Sequence, residues 1–414
     1  MVNGYEVSPA FALMASLFVF FVGLAWLERP YTAAPQQRAL LDKLRVTVNV
    51  PLYNEDPAIA HQTLESLLAQ TRLPNKVEVV DDGSSISYDE LKTWWLQASA
   101  EAGIEGSWKR IANAGKRHAQ LVTFEHDTTS EIFVTVDSDS LLAHNAIEEG
   151  MLPFVDPDVT SVAAIVLAMN AKQNLVTRLT DMMFLNFQLI TRSGLSVIKS
   201  VLVNSGCASF YRASVVRSAF EAYRHETFLN RPVPFSDDSF LTLVAHLQGQ
   251  TVQQPTCVAF TYLPERVGHH LRQQLRWFRG STIRSIWRFR YLPMTGAAYW
   301  VHFINWFNFF LVATIFSYLL IYQPVIHQEV APWLLLISVL ISYITSFKYL
   351  AIRRSDVSRW WQFCTFLMSP LLFVWSAVVL RPLRIYGMLT CAKTGWQTRQ
   401  AGPEVTVKPA ALSN

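Results

Sequence analysis

The sequence predicts an α/β fold with a mostly parallel sheet, joined to transmembrane and interfacial α-helices. Two observations carry this. Between Arg45 and Val136, short β-branched runs (Val46 to Val50, Val77 to Val80, Ile132 to Val136) alternate with helical segments such as Ala58 to Gln70. That alternation is the βαβ signature of a parallel sheet. Outside this region, long apolar stretches run from Pro9 to Leu27, Gly296 to Tyr322, Ala331 to Phe347 and Trp360 to Leu380. An apolar share of 51% against 16% charged residues is high for a wholly soluble chain of 414 residues.

Taken in order, the first apolar stretch is followed by Arg29, Arg38, Lys43 and Arg45 and predicts a transmembrane helix within residues 1–30. No Lys or Arg precedes it, which speaks against a cleaved leader. Residues 44–265 form the expected soluble domain, 266–292 an interfacial amphipathic region, 296–385 a C-terminal transmembrane bundle, and 386–414 a tail. Basic residues cluster after the first span, before the second (Arg284, Arg288, Arg290) and between the third and fourth (Lys348, Arg353, Arg354, Arg359). The positive-inside rule then puts the soluble domain and tail in the cytoplasm of a multi-pass protein of the cell membrane. Ser369-Pro370 interrupts the last stretch, so a broken or re-entrant segment is expected there. The four cysteines show no C-x-x-C spacing, which predicts neither disulfides nor zinc. A net charge of +4 is accounted for by membrane-flanking arginines; no aromatic-interleaved basic patch suggests nucleic acid.

Motifs fall at predicted strand ends, where open parallel sheets bind ligands. Val50-Pro51-Leu52-Tyr53-Asn54-Glu55 follows the first strand and Asp81-Asp82-Gly83-Ser84 the second. Asp137-Ser138-Asp139 follows Ile132 to Val136, and paired carboxylates in such a loop suit a divalent metal on a diphosphate. Asn113-Ala114-Gly115-Lys116-Arg117 places two cations before a helix, as phosphate binding requires. Asn204-Ser205-Gly206-Cys207 offers small residues that a sugar ring could approach. Asp237-Asp238 precedes the helical run Ser239 to Gln248, whose N-terminus is expected to lower both pKa values. In Gln273-Gln274-Leu275-Arg276-Trp277, residues 273, 276 and 277 share a helix face on which amide, guanidinium and indole form a platform for a sugar.

In this order the motifs resemble those of inverting, processive family 2 glycosyltransferases, closest to hyaluronan synthases and rhizobial chitin-oligosaccharide synthases. The resemblance runs from about Leu44 to Gln400 and implies a GT-A type nucleotide-sugar-binding domain. It also implies a UDP-sugar donor, a growing polysaccharide acceptor, a lipid bilayer around the spans, and Mg²⁺ or Mn²⁺ as cofactor. By resemblance, Pro51, Tyr53, Asn54, Glu55, Asp81, Asp82, Lys116, Asp137 and Arg276 hold the nucleotide-sugar, and Asp139 holds the metal. Ser205, Gly206, Cys207, Gln273, Gln274 and Trp277 hold the acceptor, and Asp238 is the base. Trp396-Gln397-Thr398-Arg399 looks like the family's W-G-T-R ending, which makes Trp396 and Arg399 gating residues, with Gln397 in place of the glycine. Ser239 stands where the synthases commonly carry Arg, which leaves the sugar open between hyaluronan, N-acetylglucosamine oligomers and a glucan. A non-processive transferase acting on a lipid acceptor, and a catalytically inert membrane scaffold, are the competing readings.

Overall fold

The computed structural model describes residues 9–328 and 333–393. Its centre is an eight-stranded sheet built from β1 (Val46–Leu52), β2 (Lys76–Asp81), β3 (Glu105–Arg110), β4 (Ile132–Thr135), β5 (Ser140–Leu142), β6 (Val159–Ala168) and β7 (Ser209–Arg212). A two-residue hairpin, β8 (Thr227–Phe228) with β9 (Arg231–Pro232), stands apart, and β10 (Gln250–Thr261) completes the sheet. The order is β3-β2-β1-β4-β7-β6-β10-β5. β3, β2, β1 and β4 run parallel, as do β6 and β10, while β7 is antiparallel to β4 and β6, and β5 to β10.

β1, β4 and β6 are buried along their whole length, as parallel strands covered on both faces must be. On one face, helices Pro57–Leu68 and Asp89–Glu101 bring Leu64, Leu67 and Trp95 onto the core. On the other, helices Lys116–His126 and Asp237–Gln248 cover Phe133 and Tyr211 with Phe124, Phe240 and Leu241. Register pairs Val48 with both Val77 and Val134, which aligns the carboxyl ends of β1, β2 and β4. The three expected strands and the helix between them are present within two residues of their expected bounds.

Past β6, helix Leu175–Asn186 continues through a wide π-type turn, Phe187–Arg192, into Ser193–Val197. The motif-bearing stretch after β10 is one helix of 25 residues, Val267–Tyr291. Among the described residues two helices are long and apolar enough to cross a bilayer, Ala297–His327 and Ser369–Leu389. Pro9–Trp26 and Trp333–Ser346 are further apolar helices. The stretch expected from Trp360 to Leu380 is divided, with helix Arg359–Phe366 ending before Ser369. Pro370 lies in the first turn of the next helix, where its missing N–H leaves no bond unmade.

Candidate active site

The strand ends converge as the sequence pattern implies, and each acid there has a distinct environment. Asn54 adopts φ 46°, a left-handed turn that asparagine tolerates; its Oδ1 accepts from the Ser85 N–H at 2.8 Å and the Ser85 hydroxyl at 2.9 Å. Glu55 is buried, and its Oε2 accepts from the Ser138 hydroxyl at 3.3 Å, so the β1 and β4 loops touch. Pro51 is buried inside β1, and Tyr53 is half-buried just beyond it. Asp81 accepts from the Ser84 N–H at 2.9 Å and faces Arg110 Nε at 3.5 Å. Asp82 turns the other way: its two carboxylate oxygens accept the backbone N–H groups of Ala114 and Gly115, each at 2.8 Å. Burial raises its pKa despite those bonds.

Lys116 opens the helix after that loop. Its Nζ lies 2.7 Å from Asp137 Oδ1 and 2.9 Å from Asp237 Oδ2, bridging the first acid of the D-x-D to the acid pair. Burial works against its charge, but the two carboxylates outweigh burial and hold Lys116 well above its ordinary pKa. Asp237 also accepts from Gln120 Nε2 at 3.0 Å. Although burial opposes ionisation, Lys116 and these bonds keep Asp237 below the ordinary carboxylate range. Asp238 differs. Burial first, then the charge of Asp237, lift it to about 6, although its Oδ1 accepts from the Ser239 N–H at 2.6 Å. The expectation that a helix N-terminus lowers both acids fails at Asp238, because desolvation and a neighbouring anion exceed the roughly 0.3–1 kcal/mol a terminal dipole supplies.

The 205–207 loop closes the far side of this cluster. A Cβ on Gly206 would lie 3.0 Å from Asp137 Oδ2 and 3.2 Å from Lys116 Nζ, so glycine permits the close approach. Burial and then Asp137 and Asp139 push the Cys207 thiol up to about 12, which places it in the field of both D-x-D acids. Ser205 Oγ accepts from Arg192 at 2.9 Å. Asp139 accepts weakly from the Ser140 hydroxyl at 3.4 Å. Among the described residues no three His, Cys, Asp or Glu side chains form a cation cluster. One or two hard carboxylate oxygens that leave the remaining positions to substrate phosphates fit Mg²⁺ or Mn²⁺.

The long helix meets the acid pair at Gly280, whose added Cβ would sit 3.2 Å from Phe235 and 3.3 Å from Ser236, just before Asp237. Trp277, one turn earlier, is 41% exposed and rests on Phe184 with ring centroids 5.3 Å apart. Gln274 is buried, and neither its Nε2 nor Gln273 Oε1 has a hydrogen-bond partner among the described residues. Arg276 is half-buried beside them.

A Glycosyltransferase like family 2 model matches residues 44–280, more than half of the chain. Over 395 residues the chain is 32% identical to a hyaluronan synthase of Streptococcus pyogenes, covering 94% of this chain and 90% of that protein. The chain belongs to glycosyltransferase family 2. An N-acetylglucosaminyltransferase of Azorhizobium caulinodans is 31% identical over 288 residues, covering 69% and 71% of the two chains. The solved mannosyltransferase PcManGT of Pyrobaculum calidifontis, in complex with GDP-Man and Mn²⁺, shares the fold, with a TM-score of 0.56, 20% identity, and 89% and 98% of the chains covered. The domain is thus a GT-A-like glycosyltransferase domain.

Within this family 2 domain, direct contacts join Glu55 to the D-x-D loop and Lys116 to both Asp137 and Asp237, with Gly206 packed against Asp137 and Lys116. Asp81 and Asp82 flank that cluster, but the carboxylate of Asp82 is engaged by the loop that carries Lys116. Trp396 and Arg399 lie outside the described residues. The sequence motifs gave neither Asp237 nor Arg192 a role at the site. Arg192 is visible in the sequence, with Arg178 and Asp181, as an interruption of the apolar pattern of Gln173 to Val201.

Proposed function

We propose that the chain is a membrane-integrated, inverting, processive β-glycosyltransferase. It polymerises sugar from UDP-N-acetylglucosamine, with UDP-glucuronate as second donor, and passes the polysaccharide through its own spans. The observation that carries this is Asp238, a carboxyl lifted to about 6 beside the D-x-D cluster and beneath the long helix bearing Gln273, Arg276 and Trp277. An acid so tuned is ionised at neutral pH yet basic enough to take a proton. The acceptor hydroxyl oxygen forms a bond to the anomeric carbon as the bond from that carbon to the diphosphate breaks, and the hydroxyl proton passes to Asp238. Lys116, held by Asp137, would orient the diphosphate, and Asp139 would hold Mg²⁺ or Mn²⁺, whose positive charge would favour departure of the UDP anion. Tyr53, Asn54, Glu55 and Asp81 contact the nucleoside, while Asp82 acts through the loop it holds. Ser205, Gly206, Cys207 and Trp277 hold the acceptor end, Trp277 being a partly exposed ring able to stack on a sugar.

Identity along nearly the whole length of a hyaluronan synthase supports two alternating donors. The catalytic domain faces the cytoplasm, a reading that the basic flanks of the spans support. Within the spans, Arg384 lies 4.8 Å from the Trp306 ring and 4.5 Å from that of Phe309, which gives a polar chain both donors and ring faces. The test is incubation of purified protein with UDP-sugars singly and in pairs, followed by sizing of the product. Long polymer only with the N-acetylglucosamine and glucuronate pair is expected. Polymer from UDP-N-acetylglucosamine alone would move the chain to the chitin-type branch, and a single added sugar would refute processivity.

A further inference from the structure

A fully buried arginine stands behind the acceptor loop. Arg192 occupies the π-type turn after helix Leu175–Asn186, and its guanidinium donates to Ser205 Oγ at 2.9 Å, to Gln188 Oε1 at 2.7 Å, to the Ala164 carbonyl and to Gln253 Oε1. All four acceptors are neutral, so its position is fixed by hydrogen-bond geometry rather than by an ion pair. Burial lowers its pKa to about 10, which leaves it charged at any physiological pH. A guanidinium desolvated this far is retained only with its fork of donors satisfied, and a planar fork dictates where its acceptors sit.

The hydrogen bonds do not stop at Arg192. Gln253 donates its Nε2 to Glu28 Oε1 at 3.0 Å. Glu28 Oε2 accepts from the Ser193 hydroxyl and pairs with Lys348 Nζ at 3.3 Å. Lys348 also donates to the Ala25 carbonyl at 2.6 Å and to Ser193 Oγ at 3.0 Å. Glu28 and Lys348 lie just past the ends of the apolar helices Pro9–Trp26 and Trp333–Ser346. An unbroken series of buried and half-buried side chains thus runs from those helix ends to the hydroxyl of Ser205. One residue further on, Gly206 lies against Asp137 with no room to spare.

We propose that Arg192 is a positioning residue for the 205–207 loop, and that the Glu28–Lys348 pair sets its position from the membrane side. The register of the acceptor end then depends on how two apolar helices pack at the membrane surface, so the helices that surround the product also determine where its next hydroxyl is presented. This rests on reading the loop as the acceptor site. It predicts a larger effect on acceptor use than on donor chemistry, because Arg192 bonds Ser205 of the loop, Gln188, and the strand residues Ala164 and Gln253, of which Gln253 leads on to Glu28, and bonds neither Lys116 nor Asp137.

The test uses full-length protein in detergent or nanodiscs and compares Arg192→Lys and Lys348→Met with the parent. Donor KM, UDP release without acceptor, KM for an oligosaccharide acceptor and polymer length are each measured. Arg192→Lys keeps the charge but cannot hold the fork, and a loop displaced by a fraction of an ångström should raise acceptor KM about tenfold and shorten the polymer. UDP release and donor KM should stay within about twofold. Lys348→Met, connected to Ser205 only through Glu28, Gln253 and Arg192, should shift acceptor KM and length in the same direction by a smaller factor. Unchanged acceptor KM and length in both variants would overturn the proposal. So would donor and acceptor parameters falling together, which would mean a purely structural role. Parent protein that releases UDP but never extends an oligosaccharide would refute the acceptor reading itself, a result distinguishable from either.

Discussion

Replacing Asp237 with asparagine should move the acid limb of the pH–rate profile without abolishing the reaction. Asp238 is lifted from an ordinary 3.8 to about 6, by burial first and by Asp237 second. At about 1.4 kcal/mol per pH unit, that is about 3 kcal/mol of disfavoured charge. A general base works only when ionised, so in the parent the rate should follow an ionised fraction of ~90% at pH 7 and ~10% at pH 5. Asp237→Asn would keep an amide oxygen for Gln120 Nε2, remove the like charge, and leave Lys116 with one carboxylate fewer to neutralise it. Both changes favour the Asp238 anion and should lower its pKa by roughly one unit. At pH 5 the variant should then retain roughly half of its plateau rate, about fivefold more than the parent relative to its own plateau. The assay is initial UDP release at saturating donor and acceptor from about pH 4.5 to 8.5. An unchanged limb, or one displaced upward, would mean that another group is the base. The same shift has a consequence for stability. The fold binds the Asp238 proton more tightly than the unfolded chain does, so this group's contribution falls as pH rises from about 4 to about 6. Asp238→Asn should therefore be slower by roughly 10²- to 10⁴-fold yet no less stable at pH 7.5, and a lowered melting temperature would count against the linkage.

Asp139→Ala should abolish polymerisation, and chelation should do the same to the parent, with Mn²⁺ or Mg²⁺ restoring only the latter; full activity in excess chelator would remove the metal from the scheme. Trp277→Ala should allow UDP release while long product is lost, as read by product sizing, if the exposed ring acts on the acceptor as proposed; unchanged polymer length would count against that role. Glu226→Gln should destabilise the fold by about 3 kcal/mol or more, since Glu226 lies between the buried guanidinium groups of Arg117 and Arg284 and both would lose their counter-charge. Thermal unfolding in detergent measures this, and a shift smaller than that of an exposed control such as Glu101→Gln would be inconsistent with the clamp.

What could be read from the chain was local. Short β-branched runs alternating with helical segments located β1, β2, β4 and the helix between the first two, because strands covered on both faces are mostly apolar and their helices amphipathic. The motifs lay at the strand ends for the same reason. What could not be read was the set of long-range pairings. Lys116 reaches Asp237 across more than a hundred residues of sequence, and no spacing rule anticipates that it bridges two acids of different loops. Arg117, its neighbour in the same G-K-R, turns to Glu226 and to the Tyr223 and Phe240 rings, a buried clamp with no part in phosphate binding. The helix-terminus argument did not decide either acid: against burial, Lys116 and Gln120 lower Asp237, and burial with the charge of Asp237 raises Asp238, because a dipole is a property of the segment, whereas desolvation and ion pairing are properties of everything packed around it.

Asp82 shows how these levels connect. Its position at the end of β2 suggests a group held out to a ligand, yet both its oxygens are taken by the N–H groups of Ala114 and Gly115. Gly115 is at φ 94°, a conformation that only glycine adopts without strain, and the helix starts at the next residue. The carboxylate therefore fixes the loop at the helix start, the loop fixes Lys116, and Lys116 neutralises Asp137 and Asp237 next to Asp238, the proposed base. The pKa of Asp238 depends on that lysine, which lowers it, as well as on Asp237, which raises it. An alteration at Asp82 should thus reach the base without touching it. Asp82→Ala would free the loop, loosen Lys116 and drive the acid limb of the pH–rate profile upward, opposite to the direction expected of Asp237→Asn. A residue that only held the nucleotide would change donor KM and leave that limb where it was.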